Sequence, residues 1–557
     1  MTERLSPTPL PHDVDALRAL VLRQKNELEH AEESHQAALR HARTEQAARE
    51  EVIAQRDLKI TYLTEQINLL LARRYSASAE TVSEAQLRLF NEAETDALED
   101  DEEDTAPETI EVAPYRRGTP KRPALPEHLP RVEIEHPLPE DQRLCPRHGV
   151  ALERFDEERT EQLDIVPATV QVLCHIRGKY RCPCCTGHLV TAPMTPQPIP
   201  KSWASPGLLA HIATAKFVDA LPLYRQHQQL VRLGMELSRT TLAMWMIRVG
   251  QLVQPLINLL RETMLSRRYL LMDETTVQVL KEPGKAAESR SYLWAQMSMG
   301  ADTPIILFDY DATRSAAVPT RLLEGFEGAL HTDGYRGYDR ATHDFELVRL
   351  FCFAHARRKF VEVLKSLGLN PKKLPAHPPP KARRALKALS LIKALYAIER
   401  RIKDEPPEER YEVRQRESVP VLDELRRWTT KTLPRVLPRS ALGKALRYLD
   451  NQWDGLNRYC EDGRYRIDTN PVENAIRPFC LGRKNWMFSD TVAGAKSSAN
   501  LYSLIETARA NGLEPYAYLR RVFTELPKAT TVEDIEALLP GRIDLASVNL
   551  EPPARVT

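Results

Sequence analysis

A chain of 557 residues is too long for one hydrophobic core and implies roughly three to five folded units. Its 78 basic and 77 acidic residues nearly cancel, but eleven acids and no base fall in 92–111, so the remainder carries +12 and is compatible with nucleic acid. The absence of a secretory signal and of any apolar run of membrane length points to a cytoplasmic protein with no membrane partner.

Residues 13–74 are charged and free of Pro and Gly, which predicts a helix. Ile53, Ile60 and Ile67 recur every seven, with Leu63 and Leu70 between them. Val14, Leu17, Val21 and Leu28 begin a similar seam, while His35, Ala38 and Ala42 interrupt it. Residues 1–75 therefore read as a coiled coil that pairs subunits; the competing reading is one solvated helix folded back on the body. Residues 76–130 form an acidic linker followed by a basic arm. There Arg116 and Arg117 either follow DNA phosphates or simply solvate the linker.

Residues 131–195 carry a metal pattern. Cys145 and His148 form a C-x₂-H pair, and Cys182 and Cys185 a C-x₂-C pair, with Cys184 leaving one ligand ambiguous. Between them Val170, Val172, Leu173 and Tyr180 suggest short strands. Two such knuckles suit one structural Zn²⁺; buried thiols are the alternative. Residues 196–265 are helical. A helix opening at Leu221–Arg225 stops near Gly234, and Ser238 caps a second, running to about Val249. This is either a helix-turn-helix offering Arg239, Thr240 and Thr241 to bases, or a plain hairpin packed on the next domain.

From about residue 266 apolar runs predict strands at Tyr269–Leu280, Tyr292–Met299, Pro304–Tyr310, Ala329–Thr332 and Leu347–Phe353. Helices are expected at Arg321–Phe326, Ala354–Leu367 and Ala499–Asn511. Asp273 lies in the first strand and Asp333 follows the fourth. Glu473 sits on a helix that Asn470-Pro471 opens, with Asn470 as its expected cap. A carboxylate at each of two strand ends and a third on a helix suits two Mg²⁺ or Mn²⁺ ions. An ordinary surface pair between Glu473 and Arg477, one helical turn on, is the bland alternative. Glu274, Asp309, Asp311 and Asp339 are rival carboxylates, with Glu274 expected on the opposite strand face from Asp273. Cys352 and His355 form another C-x₂-H, but without a second pair nearby they make a poor zinc site. His355, Arg357 and Arg358 instead suggest a face toward DNA phosphate. Arg483, Lys484 and Trp486 form a basic-aromatic cluster of the kind that contacts phosphates or a flipped base.

The segments MDETTVQVL, HTDGYRGYDR, CFAHARRKF and NPVENAIRPFCLGRKNWMFSDT together resemble the insertion-sequence sixty-six family of transposases, over almost the whole chain. The resemblance implies DDE chemistry, with Asp273, Asp333 and Glu473 cutting transposon ends and joining them to target DNA. It implies a multidomain α/β protein with a ribonuclease-H-like mixed sheet in 266–369 and 466–525. A helical insertion at 370–465 and a tail at 526–557 complete it. Double-stranded DNA, a second copy of the chain and small companion proteins of the same bacterial element are the implied partners, and the nucleoid is the implied location. Two departures stand out: the family usually has Cys where this chain has His148, and Cys480 occupies a place often basic in DDE enzymes. Arg477 and Lys484 are the substitutes there. A nuclease that does not transfer strands, and a DNA-binding regulator with an inactive core, are the competing functions.

Overall fold

A computed structural model of the chain describes residues 13–75, 170–181, 189–299, 303–371, 374–375 and 377–543. It divides into two compact units. The smaller is described at 170–181, 189–194 and 227–237. Its strands β1 (Lys179–Arg181) and β2 (Leu189–Thr191) pair antiparallel, Tyr180 opposite Val190. Val170, Val172 and Leu173 are exposed and lie outside any strand, contrary to the alternation in the sequence; apolar alternation makes a strand only where one face is buried.

The larger unit begins with α1 (Val14–Tyr75), an unbroken helix as its composition predicts. The helices α2 (Pro206–Phe217), α3 (Leu223–Arg232), α4 (Arg239–Leu252) and α5 (Gln254–Leu265) follow, of which residues 227–232 of α3 are counted in the smaller unit. Gly234 takes φ +82 after α3, and Ser238 Oγ accepts from Thr241 N at 3.0 Å to start α4. Both boundaries match the expected turn and cap.

The sheet contains β3 (Tyr269–Lys281), β4 (Arg290–Ser298), β5 (Ile305–Asp311), β6 (Ala329–Thr332) and β7 (Val348–Phe351), in the order β5-β4-β3-β6-β7. β4 pairs antiparallel with both β3 and β5, while β6 joins β3 and β7 joins β6 in parallel. The helix expected at Arg321–Phe326 instead covers Ala317–Leu322 (α6), and α7 spans Asp339–Asp344. After β7 come α8 (Phe353–Ser366) and a helical block: α9 (Pro380–Arg401), α10 (Pro407–Val413), α11 (Val419–Thr432), α12 (Ala441–Asn451) and α13 (Trp453–Asn457). The chain then returns to the sheet as α14 (Asn470–Trp486), β8 (Ser489–Thr491), α15 (Val492–Ala510) and α16 (Pro515–Glu525).

α15 begins seven residues before its expected start and covers the sheet's edge. Ser503 Oγ accepts from Phe308 N at 2.7 Å, and Thr507 Oγ1 accepts from Ile306 N at 3.0 Å. Unpaired amides of the edge strand β5 are thus satisfied by a helix, which also shields that edge from further pairing. Among the described residues, no helix is long and apolar enough to cross a membrane.

Candidate active site

The first two acids owe their neighbourhood to strand register. Tyr269 pairs with Ala329 and Leu271 with His331, a constant offset of 60. The pairing ends at Leu271; Asp273 lies two residues further along β3 and Asp333 directly follows the end of β6, close enough for its charge to act on Asp273. α14 packs against β3 and β4 and brings in Glu473, which is only 3% exposed.

Burial raises the Asp273 carboxyl well above the ordinary range, and the charges of Glu473, Glu274 and Asp333 raise it further. Burial also raises Glu473, against the pull of His355 and Arg358. Buried acids that repel one another in this way fit a divalent cation, whose charge would offset both the burial and the repulsion. The oxygen-only donor set suits a hard ion.

Glu473 keeps other company than the sequence suggests. Its carboxylate accepts from Thr469 Oγ1 at 3.3 Å and lies 3.6 Å from His355 Nδ1 and 3.7 Å from Arg358 Nη2. Arg477 is not among its ion-pair partners. Nor does Asn470 cap the helix: its Nδ2 donates to Asp468 Oδ2 at 3.0 Å, because that buried acid takes up the amides at the helix start.

The rival carboxylates have separate engagements. Arg314 Nε donates to Glu274 at 2.6 Å, as does Tyr338 Oη. Asp309 accepts from Arg261 at 2.7 Å and Gln296 at 2.8 Å. Asp311 pairs with Arg321, and Asp339 with Arg349.

The residues expected at DNA divide. Arg239 and Thr240 are exposed at the start of α4, with the Arg239 guanidinium 5.8 Å from the Tyr224 ring centre, and Thr241 is half-buried beside the Ser238 cap. His355, Arg357, Arg358 and Arg477 are half-buried, and Lys484 is exposed. Arg483 is turned inward and bonds the Thr276 carbonyl and both Thr275 and Thr276 hydroxyls, so it clamps β3. Trp486 is half-buried and packs edge-to-face on Phe479, ring centres 5.4 Å apart. Arg116, Arg117, Cys145, His148, Cys182 and Cys185 lie outside the described residues.

Sequence reasoning missed two features. Cys352, His355 and Glu473 bring one ligand atom each to within 4.8 Å of one another, a convergence that the acid triad does not reach among the described residues. The C-x₂-H signal was visible, but its third member lies 118 residues beyond His355. The second is Arg414, fully buried. It holds Glu399 through two bonds (2.8 and 2.6 Å) and donates to the carbonyls of Tyr459, Asp462 and Tyr465, fixing the segment that leads to α14. No local pattern in the sequence marks it.

With this geometry in view, comparison with known proteins is decisive at the family level. Residues 201–497 match the Transposase IS66 family and 503–540 the IS66 C-terminal element. Residues 62–134 match the transposase C of IS166 homeodomain and 142–186 the zinc-finger binding domain of transposase IS66. The chain is similar to two proteins of Sinorhizobium fredii (strain NBRC 101917 / NGR234). Uncharacterized protein y4jD is 36% identical over 428 residues, 75% of this chain and 81% of that protein. Uncharacterized protein y4qI is 30% identical over 550 residues, 95% and 97% respectively. The chain belongs to the Transposase IS66 family. That membership supports a transposase role and DNA as partner, and the zinc-finger match supports a zinc ion.

Proposed function

We propose that this chain cuts double-stranded DNA at the ends of its own element and joins the freed 3′ ends to target DNA. The observation that carries the reading is that the buried Asp273 feels the charges of both Glu473, from a helix, and Asp333, from the end of the neighbouring strand. The strand order β5-β4-β3-β6-β7, antiparallel then parallel, is the one expected of a ribonuclease-H-like core, with α9 to α13 as its helical insertion.

Asp273, Asp333 and Glu473 would hold two Mg²⁺ or Mn²⁺ ions, which when bound supply Lewis acidity at the attacking and leaving oxygens of the phosphodiester. Asp273 and Asp333 offer their carboxylates from the rigid sheet, and Thr469 and Arg358 steady that of Glu473. Arg239 and Thr240 meet the duplex at the exposed start of α4, and Lys484 neutralises phosphate near the acids. Cys145, His148, Cys182 and Cys185 hold the zinc, and α1 pairs two copies of the chain. Small companion proteins of the element act alongside.

The test is cleavage and joining of DNA carrying the element's own ends. Asp273→Asn, Asp333→Asn and Glu473→Gln each lower both steps by about 10²-fold or more, while DNA binding persists. Asp309→Asn, which changes only the pairing with Arg261 and Gln296, leaves the chemistry in place. Wild-type rates in the Glu473→Gln chain would defeat the reading; cutting without joining would reduce it to a nuclease.

A further inference from the structure

Glu473 has neighbours of two different chemistries. Its charge acts on the carboxyl of Asp273, as does that of Asp333. Its other neighbours are a thiol and an imidazole: Cys352 at the start of α8 and His355 in its first turn. The ligand atoms of Cys352, His355 and Glu473 lie within 4.8 Å of one another. Cys352 is fully buried, and its sulfur accepts from Thr469 N at 3.3 Å; burial and the charges of Asp468 and Glu473 nevertheless push the thiol up to about 12, so it holds its proton until a cation displaces it. His355 Nδ1 is a buried nitrogen with no hydrogen-bond partner, 3.6 Å from Glu473 Oε1. A buried nitrogen without a partner is costly, and a ligand is one way to satisfy it. Arg358 lies beside the other carboxylate oxygen, Oε2, so Oε1 is the oxygen turned toward the imidazole.

We propose that Cys352, His355 and Glu473 form a second zinc site, with one sulfur, one nitrogen and one oxygen ligand and an open fourth position. Mixed S, N, O donors select Zn²⁺ over Mg²⁺, and three protein ligands leave room for a water. On binding, the ion replaces the thiol proton, which leaves to solvent. Because Glu473 also belongs to the acid triad, zinc here draws its carboxylate away from Asp273 and Asp333. The site stands on its own geometry; its effect on DNA chemistry rests on the proposed catalytic role of Glu473.

The decisive experiment counts zinc in the full chain by elemental analysis after dialysis against micromolar Zn²⁺. The wild type should hold about two ions per chain, and Cys352→Ser about one, the remainder belonging to the zinc-finger region. His355→Gln is the second variant, should the serine chain misfold, and should lose the same equivalent. A wild-type count of about one, or about two in both variants, overturns the site. In the Mg²⁺-supported cutting assay, added Zn²⁺ should suppress the wild type at least about tenfold more than Cys352→Ser. A second ion that depends on Cys352, in a chain that never cuts DNA, would uphold the site and remove the catalytic reading.

Discussion

Arg483 and Lys484 are neighbours in the sequence and opposites in the structure. The Arg483 guanidinium bonds the Thr276 carbonyl and the hydroxyls of Thr275 and Thr276, two to three residues past Asp273 in β3. Lys484, on the same helix turn, is exposed. Hydrogen bonds from a charged donor contribute about 1.5–3 kcal/mol each, and more is lost when a buried acceptor is orphaned. Arg483→Ala should therefore lower the thermal midpoint and leave the salt dependence of DNA binding unchanged. Lys484→Ala should do the reverse, reducing the slope of log affinity against log salt by about one and leaving the midpoint alone. Thermal melts and binding titrations at several salt concentrations, run on both variants, measure the two effects separately. Equal salt slopes for Lys484→Ala and wild type would remove Lys484 from the DNA interface.

At the scale of elements, α4 answers a question that its sequence left open. One face carries Leu242, Trp245, Met246 and Val249 into the core. Along it Ser497 Oγ donates to Ile247 O at 3.0 Å, and Asn500 Nδ2 to Gly250 O at 2.9 Å. A Cβ on Gly250 would sit 2.4 Å from Ser497 Cβ, so the two helices touch through a residue that must stay small. α4 is thus packed on the core, and the exposed Arg239 and Thr240 leave its first turn open for recognition as well. Gly250→Ala should cost about 1–3 kcal/mol by overpacking, with sequence preference on DNA unchanged in the folded fraction. Arg239→Ala with Thr240→Ala should keep full stability and lose discrimination between the element's ends and random DNA. Loss of stability in the second pair, or of discrimination in the first, would reverse the assignment. The contrast also marks where sequence is informative. Strands β4 to β7 were legible as apolar runs with punctuation at their ends, and β3 from the apolar stretches on either side of Asp273–Thr276. β8, the tripeptide Ser489–Thr491, carries no apolar pattern and exists only because β3 extends far enough to pair with it. The triad residues were legible from motif and position. The proximity of Cys352 and His355 to Glu473 was not, because it depends on how α8 and α14 meet after the helical block between them.

At the scale of the whole molecule, α1 has two ends with different duties. Val14, Val21, Leu28, Ile53, Ile60, Leu63 and Ile67 face water, Ile60 at 61% exposure, as they would in a seam awaiting a second helix. Near its last turns α1 is anchored instead. Glu65, 4% exposed, pairs with Lys381 at 2.9 Å and accepts from Ala441 N, the first amide of α12, at 3.2 Å. Asn68 donates to the carbonyl of Ser366 at the end of α8. The anchored end matches the reading of a helix folded on the body, and the exposed seam leaves the paired coil as the proposal for the rest. Removing a half-exposed Ile or Leu from water contributes roughly 1 kcal/mol, so several seam positions per chain give a dimer a sufficient driving force. Deleting residues 1–75 would disturb seam and anchor together, so point variants are the sharper probe. Ile53→Glu with Ile60→Glu puts charge into the seam, and should drop the light-scattering mass to that of one chain with the thermal midpoint nearly unchanged. Glu65→Ala should keep the larger mass but loosen the helical block. It removes an acid both from the start of α12, worth about 0.5–2 kcal/mol as a helix cap, and from Lys381. Hydrogen exchange in α12 should then quicken while that of β3 to β7 stays slow. An Ile53→Glu/Ile60→Glu chain that keeps the wild-type mass at every concentration would rule out the seam as the contact between copies.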